Sequence, residues 1–166
     1  LAPGGREALA YLERRGLDRA AIRGFELGYA PNDRQTLRAA LRGQGFSEPE
    51  LIAAGLLKAE DGGEPFAHFR HRLMFPIADE RGRIVGFGGR ALGEARAKYL
   101  NTPETELFHK GELLYNLHRA ARAARQQHEV VLAEGYMDVI ALAQAGMTHA
   151  VAPLGTAVTE RQLAAL

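Results

Sequence analysis

The sequence predicts an α/β fold in two parts, a mixed α+β N-terminal part and the beginning of a parallel α/β unit. Helical patterns separated by glycines occupy the first 57 residues, and a hairpin pattern follows between positions 69 and 87. After Glu129 the patterns alternate between strand and helix, which is typical of parallel sheets with right-handed crossovers. We expect the N-terminal part to cover residues 1–127 and the α/β unit to cover residues 128–166.

The N-terminal part begins with helix signals. A helical run over residues 6–15 ends at Gly16, and Ser47 followed by Glu50 forms a capping box before another helix. Candidate caps for two helices between them are Asp18 and either Asn32 or Asp33. Next, residues 73–77 and 83–87 flank a polar turn and predict a hairpin, in which Pro76 marks an edge or a bend. A short strand at 98–101 and a helix at 114–127 complete this part.

The junction after residues 130–133 is the most informative feature for function. Four apolar residues predict a strand buried on both faces, and ligands of open α/β sheets bind beyond the carboxyl ends of such strands. Glu134 then lies at that edge, and Asp138 lies one helical turn further, on the same face. Two clustered carboxylates suit Mg²⁺. Spacing alone equally supports a capping residue and a first-turn acid favoured by the helix dipole.

The α/β unit continues with a helix at 137–145, a strand at 148–152 and a helix from Thr159, which forms a capping box with Gln162. The glycine-containing segment 154–157 could meet phosphate through its backbone amides or be an ordinary turn. Because a two-stranded parallel sheet cannot cover itself, we expect further sequence to complete it.

Glycines also cluster at residues 86–91, which fit the relaxed dinucleotide-binding fingerprint. We reject that interpretation because the fingerprint requires a following helix within a βαβ unit. We expect instead a tight turn that allows the backbone to approach a ligand closely and leaves Arg90 projecting.

Composition excludes several classes of protein. There is no cysteine, so no disulfide, thiol catalysis or cysteine-ligated zinc can occur within this sequence. No apolar segment approaches the roughly 20 residues that span a bilayer, so we expect a cytoplasmic protein with no membrane partner. The net charge is only +1, but residues 67–125 hold eleven basic and six acidic residues, a net of +5. That excess could bind a phosphate backbone or be a solvated basic face.

Ten segments occur in the order found in bacterial replicative primases of the DnaG type, whose catalytic core this chain resembles along almost its whole length. The resemblance implies a Rossmann-like Toprim domain that begins near residue 128, and synthesis of RNA primers from ribonucleoside triphosphates on single-stranded DNA. The matching segments are 11–17, 27–31, 72–77, 86–90, 98–101, 102–105, 108–111, 114–115, 134–139 and 154–157.

The resemblance also implies roles for individual residues. Glu134 matches the catalytic Toprim glutamate, either a metal ligand or a proton acceptor, and Asp138 matches the acid four residues later; Mg²⁺ or Mn²⁺ is the implied metal. Five residues match family members' residues that are linked to the template, the nucleotide or initiation: Arg15, Arg90, Lys98, Tyr99 and Lys110. A zinc-binding module, a second Toprim motif of paired aspartates and a helicase-binding domain belong to the family but not to these 166 residues. Because the paired aspartates are missing, we expect this piece alone to be catalytically silent or nearly so. We also expect a monomer.

Two other interpretations remain open at this stage. The chain could be a nucleic-acid-binding module without chemistry, or part of another Toprim enzyme such as a topoisomerase or nuclease. The latter is disfavoured because such enzymes do not need the segments that contain Lys98 and Lys110. If mutation of Glu134 abolished primer synthesis but not DNA binding, a binding module without chemistry would be excluded. If the protein incorporated nucleotides and did not cleave strands, another Toprim enzyme would be excluded.

Overall fold

The structure is a computed structural model that describes residues 3–155 and 157–166. Within those residues it contains seven helices and nine strands, which confirms the predicted mixed α/β fold. The helices are α1 (Pro3–Arg14), α2 (Arg19–Gly24), α3 (Thr36–Gly43), α4 (Glu48–Ala53), α5 (Leu117–Gln127), α6 (Tyr136–Gln144) and α7 (Glu160–Ala164). The strands are β1 (Gly28–Ala30), β2 (Leu57–Glu60), β3 (Gly63–Ala67), β4 (Arg72–Ala78), β5 (Ile84–Ala91), β6 (Tyr99–Asn101), β7 (Leu114–Tyr115), β8 (Val131–Leu132) and β9 (Ala150–Pro153).

A four-stranded antiparallel sheet in the order β1-β4-β5-β6 forms the centre of the N-terminal part. The predicted hairpin is confirmed as β4 and β5. Pro76 pairs with Phe87 on β5, whereas β1 covers β4 only from Arg72 to Met74. β4 is therefore not an edge strand in the sheet order, but Pro76 lies beyond the segment that pairs with β1, where no described neighbouring strand needs its missing N–H. A separate hairpin, β2 with β3, packs beside α3 and α4.

Local capping signals explain where the short helices begin. Both predicted capping boxes are present, at Ser47 with Glu50 and at Thr159 with Gln162. Asp18 caps α2 by accepting a hydrogen bond from the amide of Ala21 at 2.7 Å. The prediction for α3 is wrong by two residues, because its cap is Gln35; the Asp33 carboxylate instead accepts from the amides of Gln35 and Thr36 in the preceding turn.

A three-stranded sheet in the order β7-β9-β8 follows. The predicted parallel pairing of β8 with β9 is confirmed. Residues 114–115, predicted as helix, form β7, which runs antiparallel to β9. Asn116, with φ of 70°, turns the chain from β7 into α5. The boundary at residue 127 stays a prediction, since β7 on one side of it pairs with β9 on the other.

The buried strand of this sheet is β9, not β8. All four residues of β9 are buried, whereas Leu132 of β8 is 44% exposed. Among the described residues, the strand before Glu134 does not have two covered faces, because Leu132 is exposed and β8 pairs only with β9. An apolar run does not reveal whether its strand is central or at an edge.

One hydrophobic core joins the two sheets. Phe75 and Ile77 of β4, Tyr115 of β7, and Val139 and Ile140 of α6 are buried in a single cluster with α1. This shared core holds the beginning of α6 against the β4–β5 hairpin, so the N-terminal sheet and the 134–138 segment occupy fixed positions relative to each other. None of the described helices combines the length and apolar character that a bilayer-crossing helix requires.

Candidate active site

The two predicted acidic residues lie at the C-terminal end of β8. The ladder continues one residue past β8, where the Ala133 amide donates to the Val151 carbonyl at 2.8 Å. Glu134 follows, Gly135 is the N-cap of α6, and Asp138 lies in its first turn. Both side chains belong to exposed residues. Asp138 folds back toward the start of its helix, since a Cβ at Gly135 would lie 3.6 Å from its Oδ2 atom.

Glu134 and Asp138 border the same cleft, which has a volume of about 370 Å³. The loop after β9 forms the opposite wall, as expected for a site beyond the carboxyl ends of parallel strands. Thr156, the third residue of the glycine segment predicted there, lies outside the described residues. The cleft is lined by Tyr99, Asn101, Glu134, Gly135, Tyr136, Asp138, Pro153, Leu154 and Gly155.

Tyr136 anchors the acidic segment to the N-terminal sheet. Its ring packs 5.2 Å from that of Phe75 and 4.8 Å from that of Tyr115. Its hydroxyl donates to Oδ1 of Asn101 at 2.7 Å, and burial raises the pKa of this hydroxyl, so it stays protonated. Glu134 and Asp138 thus flank a buried side chain whose position is set by both sheets.

Asn101 links three segments around the cleft. Besides accepting from Tyr136, it donates through Nδ2 to the Leu154 carbonyl at 2.6 Å, and its own carbonyl pairs with Nε2 of His68 at 3.1 Å. Sequence reasoning placed Asn101 in a strand but gave it no role, because all three partners are more than 30 residues away in sequence.

The glycines of residues 86–89 pack against aromatic side chains. A Cβ at Gly88 would overlap the ring of Tyr136, one at Gly86 would lie 2.5 Å from Phe108, and one at Gly89 would lie 2.7 Å from Phe69. All three glycines lie inside β5. The interpretation of this segment as a tight turn near a ligand is therefore wrong, because it is an extended strand whose missing side chains make room for rings.

Arg90, at the end of this run, is half-buried and stacks on Tyr11 of α1, with its guanidinium carbon 4.1 Å from the ring centroid. Arg15 follows Tyr11 by one turn, and its amide donates to the Tyr11 carbonyl. Arg90 also lies directly opposite Tyr99 across β5 and β6, where side chains of an antiparallel pair share a face. Arg15 therefore lies one helical turn from the residue on which Arg90 stacks, and Arg90 faces Tyr99, which lines the cleft.

Two lysines lie further out. Lys98 is exposed immediately before Tyr99, and its carbonyl accepts from the Ala91 amide at 2.9 Å. Lys110 is exposed, its amide donates to Glu104 at 3.2 Å, and its carbonyl accepts from Gln162 at 2.8 Å. Of the five residues predicted to bind nucleic acid or nucleotide, the cleft as described is lined by Tyr99 alone.

The donor set fits part of a magnesium site. In the portion of the chain that the structure describes, no three His, Asp, Glu or Cys side chains are grouped as metal ligands. Glu134 and Asp138 supply two carboxylates, which is the number that Mg²⁺ commonly takes from a protein when water and phosphates complete its octahedron. The pair thus suits a hard cation that is shared with a phosphate ligand.

Comparison with known proteins identifies the family. The profile of the DNA primase catalytic core, N-terminal domain, matches residues 2–121, and that of the Toprim domain matches residues 128–166. The chain belongs to the DNA primase catalytic-core family. The DNA primase of Geobacillus stearothermophilus is 46% identical over 158 residues, and that of Deinococcus radiodurans is 52% identical over 153 residues. The match covers 95% and 92% of this chain but only 26% and 27% of those primases.

Solved structures of primases have the same fold. The RNA polymerase domain of Mycobacterium tuberculosis primase DnaG is 40% identical with a TM-score of 0.92, and the match covers 98% of this chain and 53% of that one. A DnaG primase catalytic domain bound to single-stranded DNA is 43% identical with a TM-score of 0.83, covering 98% and 50%. The chain spans about a quarter of its curated relatives and about half of the solved primase cores.

Proposed function

We propose that this chain is part of a primase catalytic core that polymerises ribonucleotides on a single-stranded DNA template to start DNA replication. The observation that carries the proposal is the cleft in which Glu134 and Asp138 meet Tyr99. Membership of the primase catalytic-core family supports it, as does the fold shared with a primase core bound to single-stranded DNA.

The acidic residues are the proposed catalytic and metal-binding groups. Glu134 and Asp138 would hold Mg²⁺ or Mn²⁺, with water and nucleotide phosphates as the remaining ligands. Held there, the ion would neutralise phosphate charge and polarise the attacking 3′-hydroxyl. Glu134 acts there either as a ligand or as the acceptor of the hydroxyl proton.

The basic surface is the proposed path of template and nucleotide. Arg15 lies one helical turn from Tyr11, on which Arg90 stacks, Lys98 is exposed next to Tyr99, and Lys110 is exposed in the segment after β6. Their charges would balance those of the DNA backbone and of the departing pyrophosphate. Tyr99 is 45% exposed, so its ring can stack on a base while its edge contacts Tyr136.

The test is incorporation of ribonucleotides on single-stranded DNA by the full-length protein that carries this sequence, with Mg²⁺ or Mn²⁺. Glu134→Ala should abolish synthesis while binding of single-stranded DNA stays within about twofold, because neither proposed role of Glu134, metal ligand or proton acceptor, includes a contact with the DNA backbone. Glu80→Ala is the matched control, since Glu80 is an exposed acid in the β4–β5 turn, and it should synthesise as wild type.

Each contrary result has a definite meaning. Synthesis that persists in Glu134→Ala would remove the chemistry from this cleft. No synthesis by the wild type, with DNA binding intact, would favour a binding module without chemistry. Cleavage of the strand in place of incorporation would favour another Toprim enzyme.

A further inference from the structure

Arg72 is a buried guanidinium whose hydrogen-bond partners are all backbone carbonyls. The residue is only 8% exposed. Its Nη1 donates to the carbonyls of Gly89 at 3.0 Å and Lys98 at 3.3 Å, and its Nη2 donates to that of Ala97 at 2.9 Å. Of the ion pairs among described residues, none includes Arg72.

The three carbonyls bracket the loop between β5 and β6. Gly89 lies on β5 before the loop, whereas Ala97 and Lys98 are its last residues. The neighbouring His71 holds the other end, because its carbonyl accepts from the Leu92 amide at 3.2 Å. His71 and Arg72, at the start of β4, therefore attach both ends of this loop to the central sheet. The loop ends at Lys98, the residue before Tyr99.

The three hydrogen bonds to carbonyls have to offset the cost of burying a guanidinium at this position. Burial of a cation without a carboxylate is unfavourable, and burial together with the nearby charge of Arg70 lowers the pKa of Arg72. A methionine would fill similar space without a buried charge, but it would leave the Ala97 carbonyl without the hydrogen bond that Arg72 donates. What methionine lacks is a planar fork of donors that reaches carbonyls on both sides of the loop at once.

We propose that Arg72 is a positioning residue, which fixes the 92–98 loop so that Lys98 meets the phosphate backbone of single-stranded DNA. Arg72 is buried against the loop and acts through its carbonyls. The inference rests on the proposed function for the role of Lys98. It predicts that substitutions of Arg72 and Lys98 have non-additive effects on the free energy of DNA binding, although Arg72 hydrogen-bonds to the backbone carbonyl of Lys98.

The test is a double-mutant cycle on the full-length protein, with single-stranded DNA titrated at several salt concentrations. Lys98→Ala and Arg72→Met should each weaken binding by about three- to tenfold and lower the salt slope by about one. The double variant should bind within about twofold of Lys98→Ala, because Arg72 has no effect once Lys98 is gone. Arg72→Lys should resemble Arg72→Met, since it keeps the charge but loses the fork.

Arg70→Met is the matched control, because Arg70 donates to the Ala67 carbonyl and not to the loop. Arg70→Met should leave the effect of Lys98→Ala on DNA affinity unchanged, and it should not alter the salt slope.

The inference would be overturned if the losses of DNA affinity in Arg72→Met and Lys98→Ala were independent, so that their fold-changes multiplied in the double variant. Arg72 would then be a purely structural residue. An unchanged slope in Lys98→Ala would also overturn it, while loss of synthesis in Glu134→Ala would still support the proposed function. If Arg72→Met fails to fold, Arg72→Lys carries the same cycle.

Discussion

Asn101 and Tyr136 join the two sheets at the edge of the cleft, because the Tyr136 hydroxyl donates to Asn101 Oδ1 at 2.7 Å. The other end of the same amide donates to the Leu154 carbonyl at 2.6 Å. One side chain from β6 therefore contacts both walls of the cleft, the segment that carries Glu134 and Asp138 and the loop that follows β9. The geometry of the acidic pair depends on a residue of the N-terminal part.

Asn101→Asp should lower the free energy of unfolding by about 1–3 kcal/mol. The new carboxylate can still accept from Tyr136, but it faces the Leu154 carbonyl without a donor, and like partial charges repel. Urea unfolding followed by circular dichroism measures the loss. Asn32→Asp is the matched control at an exposed position and should be nearly neutral. Equal stability of the two variants would mean that the Leu154 contact contributes little.

Gly88→Ala should destabilise the protein by about 1–3 kcal/mol, as expected for overpacking, because a Cβ there would overlap the Tyr136 ring. Thermal unfolding provides the measurement. Gly43→Ala is the control, since nothing lies within 4 Å of a Cβ at that end of α3, and it should be neutral or slightly stabilising. A neutral Gly88→Ala would show that Tyr136 can move away from β5.

Lys98→Ala should weaken binding of single-stranded DNA and reduce the salt slope by about one, as for the loss of one phosphate contact. Fluorescence titration at several salt concentrations measures both quantities. Lys58→Ala, at an exposed position on β2, should leave the slope unchanged. If Lys98→Ala keeps the wild-type slope, Lys98 meets the nucleotide or solvent instead of the template backbone.

Stability should fall between pH 7 and pH 5 because of His68. Its Nε2 pairs with the Asn101 carbonyl, and its Nδ1 is buried with no partner among the described residues. Burial lowers the pKa of His68 below its ordinary value near 6.5. As the pH falls below about 6.5 the unfolded chain takes up a proton that the folded state resists, so the free energy of unfolding decreases.

The measurement is urea unfolding at pH 7.5 and pH 5.5 for wild type and His68→Gln. The variant should lose less stability over this interval than wild type. His109→Gln, at an exposed position, should behave as wild type. His118, whose pKa burial also lowers, contributes with the same sign, so some dependence should remain in His68→Gln.

The isolated 166-residue chain should synthesise no primers. Its described residues contribute two carboxylates to the cleft and no third metal ligand of the His, Cys, Asp or Glu type. The measurement is ribonucleotide incorporation by the piece beside the full-length protein at equal concentration. Robust synthesis by the piece would show that Glu134 and Asp138 suffice.

Features that depend on neighbours in sequence were predictable. The capping boxes, the β4–β5 hairpin and the spacing of Glu134 and Asp138 follow from contacts within about four residues, or from a polar turn between two apolar runs. The parallel pairing of β8 with β9 follows from the alternation of strand and helix. The roles proposed for Glu134, Asp138 and the basic residues came from the family resemblance and stay predictions.

Only the tertiary structure decided which distant groups meet. The role of Asn101, the stacking of Arg90 on Tyr11, the pairing of β7 with β9 and the exposure of Leu132 have no local signal. The glycines of β5 were misinterpreted for the same reason, since the rings that require them come from residues 69, 108 and 136. Local hydrogen bonds at helix ends and the periodicity of apolar residues depend on sequence neighbours, so they can be predicted from the sequence. The packing of side chains around the cleft depends on the shared core of the two sheets, so it cannot.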